Sequence, residues 1–375
     1  MGSTRVIKRG GLFAALASVS LLAACGSGQP TAGGSDTQGA ADGAGDGGGG
    51  QIVLASWGGR FTESTQEAII KPFTEETGIE VVVVEEPVGM VAQIEAQVDA
   101  GKVQWDLIEG ASAADAFYLW KNDLAAPLSD DLRATLVEEL GEDRLTDFGF
   151  TWSSYGFVTV CNKDTVEVCP KDSTGLFDPD TYPGRRMLVG MPASYSQAIT
   201  FLGMAAGNPQ DAPLPVDLEK AGEILRKVRE HTRVWWTAGE QMEQAMRQGE
   251  VDMGIMFSGR AYKLLDEGMN LEIIWDKGVY SPGYTLRIAN GPNPEGAEKF
   301  LEWVGTHPEA QAAWSELMGY GVPHPGALDL VDPAVGERLA EQPEHYSKLA
   351  FQNVEWYLEN RTEIDTLMES IIAGG

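Results

Sequence analysis

Beyond residue 50 the chain alternates between short apolar runs and longer stretches with a helical apolar period. Ile52-Val53-Leu54-Ala55 predicts a buried strand, closed by the glycine turn Ser56-Trp57-Gly58-Gly59-Arg60-Phe61. A helix follows, with Thr62 or Ser64 as the expected cap and Ser64 to Glu67 fitting a capping box. Pro72 is expected to kink this helix and Gly78 to stop it. Next come a strand over Ile79–Val84, a helix near Met90–Ala100 and a strand over Gln104–Glu109. Gly110-Ala111-Ser112 opens a further helix reaching Asn122. An acidic, solvated helix is expected within Ser129–Asp147, and a long strand over Thr151–Val160. Pro215–Arg229 carries the clearest amphipathic stripe: Leu218, Ala221, Ile224, Leu225 and Val228, with acids at its start and bases at its end. Strands are expected over Arg186–Gly190, Asp252–Phe257, Glu272–Trp275 and Tyr284–Ala289. Helices are expected over Ser196–Ala206, Gly239–Gln248, Pro294–Thr306, Pro308–Met318 and Tyr346–Ile372. No repeat of 20 to 50 residues interrupts this order, so the pattern implies an α/β fold.

The first 50 residues break the pattern. Arg5, Lys8 and Arg9 precede the apolar run Gly11–Ala24, which reads as a secretory signal peptide over residues 1–24. That run is about 14 residues long, short of the ~20 that a membrane-spanning helix needs. Leu22-Ala23-Ala24-Cys25 resembles the bacterial lipobox, which implies cleavage before Cys25 and lipid on its thiol. Residues 25–50 are rich in Gly, Ser, Ala and Asp with almost no apolar bulk, the composition of a disordered tether.

Composition narrows the function. The formal net charge of −29 over 375 residues argues against a nucleic-acid partner, whose phosphates demand basic patches. The body exceeds the usual size of one hydrophobic core, so two lobes are expected. Besides Cys25 there are Cys161 and Cys169; an exported pair eight positions apart suggests a disulfide, contributing about 2.5 kcal/mol by loop entropy. A two-cysteine metal site would need further ligands, and none stands nearby in the sequence. No metal or other cofactor is expected.

Several segments together resemble the extracellular solute-binding proteins of ABC importers, in their polyamine (spermidine/putrescine)-binding branch. They are Pro72–Ile79 after a strand ending in Trp, Trp105-Asp106-Leu107-Ile108, Gly249–Gly259, Asn293–Phe300, His307–Gln311 and Gly319–Pro323. Their order and spacing fit across residues 51–330. The resemblance implies a two-lobe periplasmic-binding-protein-like fold (type II), with hinge strands crossing near Trp152–Val160 and Val279–Leu286. Residues 51–155 with 284–325 would form lobe 1, and 156–283 with 326–375 lobe 2. A ligand would sit in the cleft, and hinge closure would present a new surface to a membrane permease. The expected protein is a monomer, lipid-anchored outside the cytoplasm, with a small-molecule solute and an ABC permease as partners.

Candidate ligand residues follow from the turns at strand ends and from the resemblance. Trp57 and Gly58 stand at the first turn, where an aromatic face can stack on an alkyl chain or attract an ammonium. Ser112, Trp152, Tyr155, Ser194, Tyr195, Phe257, Ser258, Tyr280 and Tyr284 are the others. Ser112 and Ser194 stand equally well as helix caps, and Trp152 as hinge packing. Gln197 opens the same helix as Ser194, while Arg260 and Arg287 are expected mainly in salt bridges. The sequence departs from polyamine binders at two places that carry carboxylates there. Met191-Pro192-Ala193-Ser194 and Ser281-Pro282-Gly283-Tyr284 contain no acid. A buried ammonium without a counter-charge is costly, so an amino-acid derivative, an opine or a small carboxylate stands beside a polyamine-like amine as the expected solute.

Two other classes are weaker. The four histidines, His231, His307, His324 and His345, form no His-x-x-x-His pair, and no G-x-S-x-G or phosphate-cradling loop is present, so the sequence does not read as an enzyme. A surface scaffold would have no use for aromatics gathered at strand ends.

Overall fold

The computed structural model describes residues 50–86 and 89–374. The expected signal peptide, Cys25 and all but the last residue of the expected tether lie outside the described residues. Among the described residues nine strands form one sheet, ordered β2-β1-β3-β8-β4-β7-β5-β6, with β9 paired to β8. The strands are β1 (Gln51–Ser56), β2 (Glu80–Glu85), β3 (Leu107–Ser112), β4 (Gly149–Asn162), β5 (Arg186–Val189), β6 (Thr232–Trp236), β7 (Met253–Phe257), β8 (Leu271–Arg287) and β9 (Leu349–Ala350). β1 pairs in parallel with β2 and β3, and β5 in parallel with β6 and β7. These two groups are the two ends of the sheet, each covered by helices as a parallel sheet requires.

The long strands β4 and β8 join the ends. They run antiparallel to each other, and β8 also pairs with β3 at one end while β4 pairs with β7 at the other. Their mutual register shifts between Thr151 and Ser153 and again between Phe157 and Thr159. Such bulges bend paired strands, here in the middle of the crossing. Gly283 sits at this bend, where an added Cβ would lie 2.7 Å from the Ser153 Oγ. The second crossing belongs to the single strand β8, where the sequence pattern indicates separate strands at Glu272–Trp275 and Tyr284–Ala289. Pairing of Val279–Gly283 with β4, and of Gly278 with β9, carries the strand through these turn-forming residues, with Lys277 left-handed at φ +55°.

The amphipathic stripe of the second half reappears with little change. The helix Leu218–Arg229 buries Ala221, Gly222, Leu225 and Val228, with Leu218 and Ile224 half-buried beside them. Asp217 caps it, accepting from the Glu219 and Lys220 N–H groups. The acidic segment forms Asp130–Leu140, capped by Ser129. At the first turn the expected cap is displaced. The helix begins at Gly59, and Thr62 and Ser64 lie buried within it. A π-helical stretch Gln66–Ile70 comes just before Pro72, whose missing N–H leaves a carbonyl of the preceding turn without its usual partner. The Cys161 and Cys169 sulfurs lie 2.08 Å apart, with the Cα atoms at 5.8 Å, the geometry of a disulfide.

Candidate functional site

The carboxyl ends of β1, β2, β3, β5, β6 and β7 converge on one cavity of about 250 Å³. Each delivers a lining residue at its end or in the turn just after it: Trp57, Glu85, Ser112, Met191, Thr237 and Phe257. This is where open α/β sheets bind ligands, because the strands stop there and the following helices begin. The crossing strand β4 adds Ser153 and Tyr155 to the floor.

The Trp57-Gly58-Gly59 turn forms one wall. Gly58 and Gly59 have φ of +80° and +54°, which glycine adopts without a Cβ clash. Their bareness lets two carboxylates close in: added Cβ atoms would lie 3.3 Å from Glu85 Oε2 and 2.9 Å from Glu240 Oε1. The Trp57 Nε1–H donates to the Gly110 carbonyl at 2.9 Å, fixing the indole against the end of β3. Below this wall the Glu109 carboxyl is fully buried and bonded to the Ser56 hydroxyl. Ser56 Oγ meets Thr62 Oγ1 at 2.7 Å, and Thr62 Oγ1 accepts the Gly58 N–H at 2.9 Å. Burial pushes Glu109 up to about 8, so it stands protonated at neutral pH.

The opposite wall is ionic. Arg260 is buried, giving Nη1 to Glu243 at 2.6 Å and Nη2 to Glu240 at 2.8 Å. The other Glu243 oxygen takes Arg247 at 2.6 Å and Lys263 at 2.9 Å. Burial alone would raise Glu243, but its bonds to Lys263, Arg260 and Arg247 outweigh that and hold it below the usual carboxylate range. Tyr155 stacks on Tyr320 at 4.6 Å and meets Phe257 edge-on at 5.1 Å. Burial pushes both phenols up, so they remain neutral. Two buried polar atoms at the cavity have no protein partner: Ser153 Oγ and Arg260 Nε.

The candidate residues divide. Trp57, Gly58, Ser112, Tyr155, Ser194 and Phe257 line the cavity, as do Gln197 and Arg260. Ser112 also caps the helix Ala113–Lys121, accepting the Asp115 N–H at 3.1 Å. Trp152, Tyr195, Ser258, Tyr280 and Tyr284 lie outside the lining. Trp152 packs under the sheet on Trp314 at 5.0 Å, the face opposite its neighbour Ser153. Tyr195 is buried with its hydroxyl toward the Gly190 carbonyl, and Ser258 Oγ accepts the Gly156 N–H. Tyr280 and Tyr284 fall on the other face of β8 from Ser281, which bonds Gln197, and line a separate hollow with Thr151 and Glu341. Arg287 pairs with Glu298 away from the site.

Glu85, Glu240, Ser153 and Tyr320 are site residues that the sequence reading missed. The first two bring carboxylates to the cavity from the end of β2 and the helix after β6, while Met191–Ser194 and Ser281–Tyr284 contribute none. The residue closing each strand would have pointed to Glu85; Ser153 carries no signal in a long apolar strand.

The profile of the bacterial extracellular solute-binding protein family matches residues 68–343. The chain belongs to that family. It is a solute-binding protein of an ABC transporter and not an enzyme. The γ-aminobutyric acid-binding protein of Pseudomonas aeruginosa is 26% identical over 317 residues, 84% of this chain and 88% of that protein. The spermidine/putrescine-binding periplasmic protein of Escherichia coli is 24% identical over 313 residues, 79% of this chain and 84% of that one. Among solved structures, the binding protein MotA of Agrobacterium tumefaciens in complex with glucopine superposes with a TM-score of 0.77 at 23% identity, over 86% of this chain and 99% of that one. Among the described residues no helix is long and apolar enough to cross a membrane, and no group of three or more His, Cys, Asp or Glu is placed to hold a metal.

Proposed function

We propose that this solute-binding protein captures a small organic amine between two lobes and presents it to its permease. The observation that carries the reading is Glu85. It lines the cavity beside Trp57, with its carboxylate against Gly58, and forms no ion pair among the described residues. Arg260, the cation in the lining, already gives Nη1 and Nη2 to Glu243 and Glu240, so a solute carrying only carboxylates would find no free counter-charge there. Glu85 is exposed and solvated in the cavity; an ammonium held there and stacked on Trp57 would take it as counter-charge. The unpartnered Ser153 Oγ and Arg260 Nε suit a polar or acidic group at the far end. An amine with such a tail fits better than a fully cationic polyamine, in line with the γ-aminobutyric acid-binding relative.

Residues 51–155 with 284–325 are assigned to lobe 1, and 156–283 with 326–375 to lobe 2. Cys25 is taken as the lipidated first residue of a monomer held at the outer face of the cell membrane, with the Cys161–Cys169 disulfide formed after export. Calorimetric titration with γ-aminobutyrate, putrescine, spermidine and succinate tests the solute. Binding of one of the amines, weakened about tenfold by Glu240→Gln or Glu85→Gln, supports the reading. Binding of succinate alone, or of none of the four, refutes it. Mass spectrometry of membrane-extracted protein tests the anchor: an unmodified Cys25 rules it out.

A further inference from the structure

A second chamber, of about 360 Å³, abuts the solute cavity; Trp57 and Ala193 line both. Its outer side is closed by two helices from opposite ends of the sheet. Ala113–Lys121 follows β3 and contributes Asp115 and Tyr118, and the C-terminal helix Val354–Ala373 contributes Arg361. That C-terminal helix is seated on the β5–β6 side, where Met368 packs with Leu188, Ala198 and Leu225. Arg361 reaches across the mouth. Its Nη2 lies 3.4 Å from Asp115 Oδ1, and its guanidinium sits 4.7 Å from the centre of the Tyr118 ring. Asp365 steadies it from the same helix at 3.5 Å, and is itself bonded by the Tyr357 hydroxyl at 3.0 Å. Tyr118 is anchored in turn by its hydroxyl bond to Glu95 at 2.7 Å.

We infer that Arg361 is a closure latch: by gripping Asp115 and Tyr118 it holds the two ends of the sheet together and sets how long the solute stays. Three observations carry this. First, among the described residues Arg361–Asp115 is the ion pair that ties a helix on the β5–β6 side to one following β3. The remaining pairs each stay within one end; Arg185–Asp252 and Arg287–Glu298 are examples. Second, the two ends cannot separate at the bend of β4 and β8 without breaking this contact and opening the chamber next to Trp57. Third, the grip is built to release. The pair is long at 3.4 Å and Arg361 Nη1 has no partner, so the contact is far from the bidentate geometry that would lock it. Arg361 lines the second chamber and not the solute cavity, so the latch is separate from the ligand site. The inference goes beyond the choice of solute and needs only the closing of two lobes.

The test compares Arg361→Ala, Asp115→Asn and the double variant, with Glu359→Ala, exposed on the same helix, as control. X-ray scattering of the solute-free protein reads the balance of open and closed forms. Stopped-flow tryptophan fluorescence with γ-aminobutyrate and putrescine reads solute release. Each single variant is expected to shift the scattering toward the open form and to raise the off-rate about tenfold with little change in the on-rate. The double variant is expected to match Arg361→Ala, because that change already removes the contacts to both Asp115 and Tyr118. Asp115→Asn keeps the test alive should Arg361→Ala lower the melting temperature. Scattering and off-rates indistinguishable from wild type overturn the latch, as does a double variant whose effect is the product of the singles. If neither amine binds wild type, the amine reading fails while scattering alone still decides the latch.

Discussion

The two walls of the solute cavity bury carboxyl groups in opposite ways. On the wall after β6 and β7, Glu243 is surrounded by Arg247, Arg260 and Lys263 and is held ionised. On the wall formed by the Trp57 turn, Glu109 has only hydroxyl partners and is held neutral. A buried charge is tolerated where counter-charges surround it; without them the group takes up a proton instead. The ionic wall is therefore rigid and sensitive to loss of any member, while the neutral wall is sensitive to pH.

The largest test of this contrast is Glu243→Gln, which strips the carboxylate from three cations, one of them fully enclosed. It is expected to cost about 4–5 kcal/mol in chemical denaturation. A loss under ~1 kcal/mol would mean that the wall does not depend on its ions. Next comes the pH profile of Glu109. Its folded pKa of about 8 stands above its ordinary 4.5, so its contribution to stability is complete below pH 4.5 and is lost as the pH rises through about 8. Stability should fall on the order of 4–5 kcal/mol across that window, and Glu109→Gln should abolish this slope. Equal slopes in the two proteins would remove Glu109 from the account. Smaller again is Trp57→Ala, which takes the aromatic face from the neutral wall. A tenfold weaker affinity, about 1.4 kcal/mol, is expected for whichever amine binds. The smallest effect belongs to Tyr284→Phe on the far face of β8: no change in affinity and under ~0.5 kcal/mol in stability. A marked loss of binding there would show that the hollow behind the hinge communicates with the site.

Much of the fold is legible along the chain because its elements are locally encoded. The stripe of the helix Leu218–Arg229, its Asp217 cap and its basic end need no distant partner to be read. Trp57, Ser112 and Phe257 are found by the same means, since each follows a strand-like run at a turn. The failures are failures of orientation. Tyr280 and Tyr284 differ from Ser281 by one or three positions on a strand, and only the pairing of β8 with β4 decides which of them meets Gln197. Thr62 has the chemistry of a helix cap, yet its hydroxyl serves Ser56 and Gly58 because the glycine turn starts the helix earlier.

The sequence alone determined most of the strands and helices and the α/β class, because periodicity, caps and glycine turns act over a few residues, and its matching segments pointed to the family; the strand Thr232–Trp236 and the joining of β8 into one crossing it did not reveal. Only the tertiary structure decided the charge of the cavity. Glu85, Glu240 and Arg260 are separated by long stretches of chain, and no local rule brings them to one space. Their meeting depends on the bend of two crossing strands, a property of the whole sheet rather than of any segment in it.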